Sequence, residues 1–152
     1  MSLIFLIEQF PALCHFFKGP IRYNKAMIKG IGTDMVRISE IARFLEDEKI
    51  SDSYTRATFT KAENAAAETR NDKAAYYASR FAAKEAFYKA ASLFPSYREL
   101  DLTKVECLND EYGRPYITSS SIQDIAATED IKTVHVSITD EDDYVLAFVI
   151  IE

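Results

Sequence analysis

The sequence contains no tryptophan and only two cysteines, four glycines, four prolines and two histidines. Cys14 and Cys107 are too few for a disulfide framework, and they form no Cys-x-x-Cys pair of the kind that binds zinc. No apolar run approaches the roughly 18 residues that a membrane-spanning helix needs. These absences predict a reduced, cytoplasmic protein that has no membrane segment, disulfide scaffold or structural zinc.

Positive charge is also scarce. Eighteen lysines and arginines face 24 aspartates and glutamates, which gives a net charge of −6 and disfavours long-range attraction to nucleic acid. What is present is typical of a globular protein, with 48% hydrophobic and 28% charged residues among 152. A chain of this length buries roughly 68–70% of its unfolded surface, which predicts one folded domain.

Residues 1–26 differ from the rest of the chain. They are largely apolar, but Glu8 and Pro11 interrupt the apolar stretch, and no small-residue cleavage site follows it. A secretory signal is therefore disfavoured, and two interpretations remain. The segment is either a dispensable extension ahead of a start at Met27 or an accessory element packed on the domain, which we expect at 27–152.

The remaining pattern predicts an α+β fold with mostly antiparallel strands and one long packed helix. Thr60-Lys-Ala-Glu63 is a capping box that starts a helix, and Pro95 follows the end of the long alanine-rich helix. The predicted strands are 28–37, 102–108, 114–118, 132–139 and 144–151, and the predicted helices are 39–49, 60–69, 71–92 and 119–128.

The first unusual segment is Gly30-Ile-Gly-Thr-Asp34. In a strand, residues 30, 32 and 34 face the same side, so two positions without side chains precede a carboxylate. Either a ligand or another backbone comes close to these glycines for a functional reason, or a helix packs on them and Asp34 merely ends the strand.

The second segment lies in the long helix, where Glu85 shares a stripe of small residues with Lys89. A carboxylate on a closely packed face needs a cation. One candidate is Lys89, four residues on. The other is an Mg²⁺ ion shared with Asp34, in which case Lys84 and Lys89 neutralise bound phosphate.

The third segment is the strand Val134–Thr139. Val134, Val136 and Ile138 face the core, so His135 and Ser137 fall on the opposite side. That polar row either lines a cleft or faces water, and water is the favoured interpretation for His135 alone. Neither histidine has a catalytic-triad partner at a recognised spacing.

Taken together, these segments resemble the holo-[acyl-carrier-protein] synthases, the small bacterial 4′-phosphopantetheinyl transferases. The resemblance runs in order from residue 27 to residue 152, and RFAAKEAF is its most specific part. The matching segments are MIKGIGTD at 27–34, RFAAKEAF at 80–87, LND and GRP within 108–115, and VHVSI at 134–138.

The resemblance implies the 4′-phosphopantetheinyl transferase fold, with two similar halves and a homotrimer whose active sites lie at subunit interfaces. It implies Mg²⁺-dependent transfer of 4′-phosphopantetheine from coenzyme A to a serine of apo-acyl carrier protein, with release of adenosine 3′,5′-bisphosphate. Mn²⁺ suits the same oxygen ligands.

The resemblance also implies residue roles. Asp34 and Glu85 match the metal ligands, and together with Lys89 they form the predicted catalytic group. Either Glu85 or a water molecule beside it is the implied base. The residues matched to coenzyme A binding are Arg80, Phe81, Lys84, Gly113, Arg114, Pro115, His135 and Ser137.

Two departures from the family pattern stand out. Asp140 occupies a position where we expect a histidine, and a carboxylate there would repel a phosphate of coenzyme A. In the first helix, Arg43 and Phe44 suit an acidic carrier protein, but the acidic run 46–48 follows them. Asp140 motivates one alternative, a catalytically weakened paralogue that binds coenzyme A. The other alternative is a noncatalytic trimeric interaction protein.

Overall fold

The computed structural model describes residues 27–94, 101–119 and 130–152. Over these ranges the chain is α+β, as predicted, and helices follow the first strand while two hairpins complete the fold. The strands are β1 (Gly30–Arg37), β2 (Val105–Asn109), β3 (Pro115–Ser119), β4 (Val134–Glu141) and β5 (Tyr144–Ile151), and the helices are α1 (Ile38–Glu46), α2 (Glu48–Thr58), α3 (Lys61–Ala67) and α4 (Lys73–Ala91).

The strands form two antiparallel sheets. β5 lies between β1 and β4 in a three-stranded sheet, and β2 pairs with β3 in a separate hairpin. Alternate residues of β5 are buried on one face of the larger sheet, and the residues between them are mostly exposed on the other. The prediction of mostly antiparallel pairing is therefore confirmed.

The 19-residue helix α4 packs across β1 and β5 and forms the centre of the core. The Asp72 carboxylate caps it by accepting a 2.9 Å hydrogen bond from the Ala75 backbone N–H. Eleven of its residues are buried, including Arg80 and Lys84, so charged groups lie inside the core as well as at its edge. None of the helices in the described ranges is both long and apolar enough to cross a membrane.

Gly30 and Gly32 allow α4 to lie directly against β1. A Cβ atom at Gly30 would overlap the carbonyl oxygen of Ala90, and one at Gly32 would overlap that of Ala86. The interpretation that a helix packs on the glycines is confirmed. Asp34 does not end the strand, however, because β1 continues to Arg37.

The first helical region is longer than its sequence pattern predicts. The expected helix at 39–49 ends at Glu46, because Asp47 takes an extended conformation with φ −97° and ψ 113°. The Asp47 carboxylate then accepts backbone hydrogen bonds from Lys49 and Ile50, which starts α2, a helix that the sequence reading missed. A single polar residue therefore ends one helix and caps the next.

Some expectations fall outside the described residues. These are residues 1–26 and almost all of the helix predicted at 119–128; Ser119 itself ends β3.

The acidic turn is shorter than expected, since Asp140 and Glu141 belong to β4 and only two residues connect β4 to β5.

We expect Gly32→Ala to lower the free energy of unfolding by about 1–3 kcal/mol, because the added methyl group forces α4 away from β1. Urea denaturation measures the change. The control is Thr118→Ala, which shortens an exposed side chain on β3, outside the larger sheet and away from the contact between α4 and β1. Equal denaturation midpoints for the two variants would contradict the close packing.

Candidate functional site

Asp34 and Glu85 line one open cleft of about 490 Å³ between β1, the first two helices and α4. Asp34 continues the inward-facing row of Gly30 and Gly32, and Glu85 lies on the helix that packs against that row. The close approach of helix and strand therefore brings two carboxylates to the same wall. The rest of the lining is mostly apolar and comprises Met35, Val36, Glu40, Ile41, Phe44, Tyr54 and Phe81.

The cleft perturbs the Glu85 carboxyl group. Partial burial raises its pKa, the nearby Asp34 charge raises it further, and Lys89 opposes both effects. The Lys89 ammonium lies 2.7 Å from Asp34 Oδ1 and donates a 3.1 Å hydrogen bond to the Thr33 carbonyl oxygen. Lys89 thus forms its ion pair with Asp34, whereas the sequence spacing suggested Glu85 as its partner.

The two carboxylates suit a hard divalent cation. Mg²⁺ takes oxygen ligands and is commonly held by one or two carboxylates together with water and phosphate oxygens. The described residues contain no cluster of three or more metal-ligating side chains. The ligand chemistry of Asp34 and Glu85 therefore fits a magnesium ion.

Lys84 lies away from this cleft. Its side chain is fully buried, and its ammonium contacts Glu63 Oε2 at 2.7 Å and the carbonyl oxygens of Thr58 and Leu102 at 2.9 and 2.8 Å. These contacts use all three N–H donors of the ammonium. Burial lowers its pKa, and Glu63 opposes that shift. The structure does not bring Lys84 together with Asp34 and Glu85, contrary to the expectation that it neutralises phosphate beside them.

Glu63, the partner of Lys84, forms hydrogen bonds and an ion pair that connect three elements. One carboxylate oxygen accepts the Thr60 backbone N–H at 2.7 Å, which completes the predicted capping box, and the other accepts the Cys107 N–H at 2.8 Å. α3, α4 and β2 thus meet at one buried ion pair. The capping box marks Glu63 in the sequence, but the links to Lys84 and Cys107 join residues far apart along the chain.

Arg80 lines a second cleft of about 330 Å³ on another side of α4. Its guanidinium group lies 4.9 Å from the Tyr76 ring centroid, and that of Arg70 lies 5.3 Å from the same centroid. Arg80 also donates a 2.9 Å hydrogen bond to Asn109 Oδ1. Asp140 contributes to the same lining, so two arginines share the cleft with a carboxylate that the sequence singled out.

The predicted Gly113-Arg114-Pro115 turn joins β2 to β3. Gly113 has φ +82°, a conformation that glycine adopts without strain, and its carbonyl oxygen accepts a 2.7 Å hydrogen bond from Asn109 Nδ2. Asn109 therefore connects the turn to Arg80. Arg114 is exposed and lies 2.9 Å from Asp110 Oδ2, while Pro115 begins β3.

His135 and Ser137 lie on the exposed face of β4, as the alternation predicts. His135 Nε2 lies 3.2 Å from Glu152 Oε2. Within one chain, the predicted site residues therefore fall into three groups. The first cleft has Asp34, Phe81, Glu85 and Lys89 around it, and the second has Arg80 and the 113–115 turn beside it. His135 and Ser137 lie on the sheet face.

Comparison with known proteins identifies the family. A model described as the 4′-phosphopantetheinyl transferase superfamily matches residues 30–149. The chain belongs to this superfamily. The matched region contains both clefts, the β2–β3 hairpin, all of β1 and β4, and β5 except its last two residues.

Curated relatives of this transferase are holo-[acyl-carrier-protein] synthases. That of Wolbachia sp. subsp. Drosophila simulans (strain wRi) is 37% identical over 128 residues, covering 82% of this chain and 98% of the relative. That of Caulobacter vibrioides (strain NA1000 / CB15N) is 37% identical over 131 residues, covering 83% and 96%. The predicted family and enzyme class are therefore confirmed.

Solved structures agree with this assignment. The holo-[acyl-carrier-protein] synthase from Neisseria meningitidis superimposes with a TM-score of 0.73 at 31% identity, covering 83% of this chain and 99% of that one. The Bacillus anthracis synthase in complex with CoA (3′,5′-ADP) gives a TM-score of 0.63 at 29% identity, covering 83% and 97%. The α+β fold of the transferase is thus shared with enzymes of this activity.

We expect Glu63→Gln to lower the free energy of unfolding by about 3–5 kcal/mol, because it leaves the buried Lys84 ammonium without its counter-charge. Urea denaturation measures the loss. Glu68→Gln is the matched control, since Glu68 pairs with Lys73 at 2.7 Å on the surface, where such a pair contributes about 1 kcal/mol or less. Equal losses in the two variants would refute a structural role for the buried pair.

Proposed function

We propose that this transferase moves 4′-phosphopantetheine from coenzyme A to a serine hydroxyl of apo-acyl carrier protein and releases adenosine 3′,5′-bisphosphate. The observation that carries the proposal is the pair of carboxylates, Asp34 and Glu85, on one wall of an open cleft. The names of the relatives agree with it. With an acyl carrier protein as its acceptor, the protein would be a cytoplasmic enzyme of fatty acid biosynthesis.

The proposed reaction is attack by the serine oxygen on the pyrophosphate phosphorus that carries the pantetheine arm. A P–O bond forms to serine, and the bond to the departing nucleotide phosphate breaks. Mg²⁺, or Mn²⁺ in its place, would offset negative charge on the pyrophosphate, with Asp34 and Glu85 as its protein ligands. Either Glu85 or a water molecule held beside it would accept the serine proton.

Coenzyme A would extend from this cleft towards basic groups. We assign its phosphates to Lys89 and to Arg80, whose cleft also contains Arg70, and because the two clefts lie on different sides of α4, one coenzyme A would contact both across a subunit interface. Phe81, the Gly113–Pro115 turn, His135 and Ser137 would complete the binding surface. Asp140 lies in the Arg80 cleft and would weaken phosphate binding there, which is the observation that favours a weakened paralogue.

We further propose that three copies assemble around the exposed face of the larger sheet. On that face Ile31 and Met35 of β1 are 56% and 61% exposed, and Leu146 and Phe148 of β5 are each 39% exposed. An apolar patch of this kind is typical of a protein interface. Ser137 pairs in register with Phe148, so an interface here would bring the β4 residues next to a neighbouring subunit. The implied duplication of two similar halves remains a prediction.

The acyl carrier protein would dock beside the first cleft. Phe44 of α1 is exposed at the cleft lining and stacks on Tyr54 with ring centroids 4.9 Å apart. Arg43 is its exposed neighbour in the sequence. An apolar ring beside a guanidinium group suits an acidic partner surface, and the cleft would then receive the serine.

Intact-mass spectrometry tests the activity directly. We incubate the full chain with coenzyme A and an apo-acyl carrier protein, in Mg²⁺ or in EDTA. The carrier should gain one phosphopantetheine group with metal and none with chelator, because the pyrophosphate needs its charge offset. Coenzyme A binding without transfer to any of several carriers would instead identify a weakened paralogue and make Asp140 the residue to revert to histidine.

Glu85→Gln should reduce the transfer rate by at least about 100-fold, the lower range for loss of a general base. Burial and the Asp34 charge raise the pKa of Glu85 in the folded state, which means that folding disfavours its ionised form. At pH 7 the ionised Glu85 therefore lowers the free energy of unfolding. The variant should therefore melt no lower than the wild type at pH 7. Glu40→Gln, the same change elsewhere in the cleft, is the control. Near-normal transfer by folded Glu85→Gln would exclude this role.

Light scattering after size-exclusion chromatography tests the assembly. The wild type should have three times the 17.3 kDa mass of one chain. Phe148→Glu should shift it to a monomer and abolish transfer, because the new charge lies on the apolar face. Leu93→Glu is the control, since Leu93 is 75% exposed outside that sheet. A Phe148→Glu variant that stays trimeric would rule out this face.

A further inference from the structure

The Lys89 ammonium lies against the Asp34 carboxylate, which is one of the two proposed metal ligands. It contacts Asp34 Oδ1 at 2.7 Å and the Thr33 carbonyl oxygen at 3.1 Å. The Asp34 side chain is only 16% exposed, whereas that of Lys89 is 50% exposed. The carboxylate therefore lies mostly within the cleft wall, and the lysine is the partner that faces solvent.

The contact opposes the binding of a second cation. A unit positive charge already bound to a ligand oxygen repels a divalent ion and removes one lone pair from its coordination. Glu85 lines the same cleft as Asp34, and the Lys89 ammonium forms its 2.7 Å contact with Asp34. Without the Lys89 charge, two carboxylates would face the cleft with no neutralising group on α4 beside them.

We propose that Lys89 is an internal counter-ion that occupies the metal position until an anionic substrate draws its ammonium away. The inference rests on the proposed function, because it takes Asp34 and Glu85 as the metal ligands. The phosphate groups of coenzyme A compete with Asp34 for the ammonium, so substrate and metal bind cooperatively. By linkage, the metal must strengthen coenzyme A binding by the same factor.

Mn²⁺ is the probe, and electron paramagnetic resonance of free Mn²⁺ measures its dissociation constant in the full-length protein without carrier and without turnover. Lys89→Met keeps the side-chain length and removes the charge. We expect it to bind Mn²⁺ about fivefold tighter or more than the wild type in the absence of coenzyme A. Lys104→Met is the matched control, because Lys104 pairs with Asp101 at 3.8 Å away from the cleft and its loss changes the net charge equally.

The coupling measurement repeats both titrations with coenzyme A, after correction for Mn²⁺ that binds to coenzyme A alone. Coenzyme A should tighten Mn²⁺ binding to the wild type by a larger factor than to Lys89→Met, because the variant has no ammonium to displace. A merely structural lysine would leave that ratio unchanged. Lys89→Gln repeats the test with a polar side chain.

Three outcomes overturn the inference. In the first, Lys89→Met binds Mn²⁺ no more tightly than the wild type. In the second, Lys104→Met gains as much Mn²⁺ affinity as Lys89→Met. In the third, Asp34→Asn leaves Mn²⁺ binding unchanged. None of these three Mn²⁺-binding measurements depends on the transfer activity of the protein. Failure of the proposed function would show separately, as absence of phosphopantetheine transfer by a wild type that binds Mn²⁺.

Discussion

The close contact between α4 and β1 determines where the functional groups of this protein lie. Gly30 and Gly32 have no side chains, so helix carbonyl groups lie against the strand backbone and the two elements keep one relative position. Asp34 is the next residue on that inward face, and the contact brings it beside Glu85 and Lys89. The same small residues that build the core therefore assemble the cleft.

α4 carries two charged residues, Lys84 and Glu85, that have different roles. Lys84 and Glu63 neutralise each other in the core, with their remaining hydrogen bonds satisfied by backbone groups. Glu85, one position later and roughly 100° around the helix axis, faces the cleft with a raised pKa. Removing one partner of the compensated pair would leave an uncompensated buried charge and destabilise the fold, whereas an under-compensated carboxylate is available to bind a cation or accept a proton.

Much of the local structure was predictable. The strand with its glycines, the capping box at Thr60, the long helix and the terminal hairpin follow from periodicity and capping, because these signals lie within a few neighbouring residues. The break between α1 and α2 was missed, since Asp47 ends one helix and starts another in a stretch that reads as continuous. The candidate cleft was predictable in part, because Asp34 and Glu85 share small-residue faces.

By itself the sequence determined the fold class, the family and the identity of the two cleft carboxylates, because specific motifs and hydrophobic periods encode them locally. Tertiary structure decided that Lys84 belongs to the buried pair with Glu63 and that Lys89 rests on Asp34. It also decided that Arg70 and Arg80 flank Tyr76 in a separate cleft. Which counter-charge a lysine meets depends on residues distant in sequence, and only the packing of helix against strand brings those residues within contact.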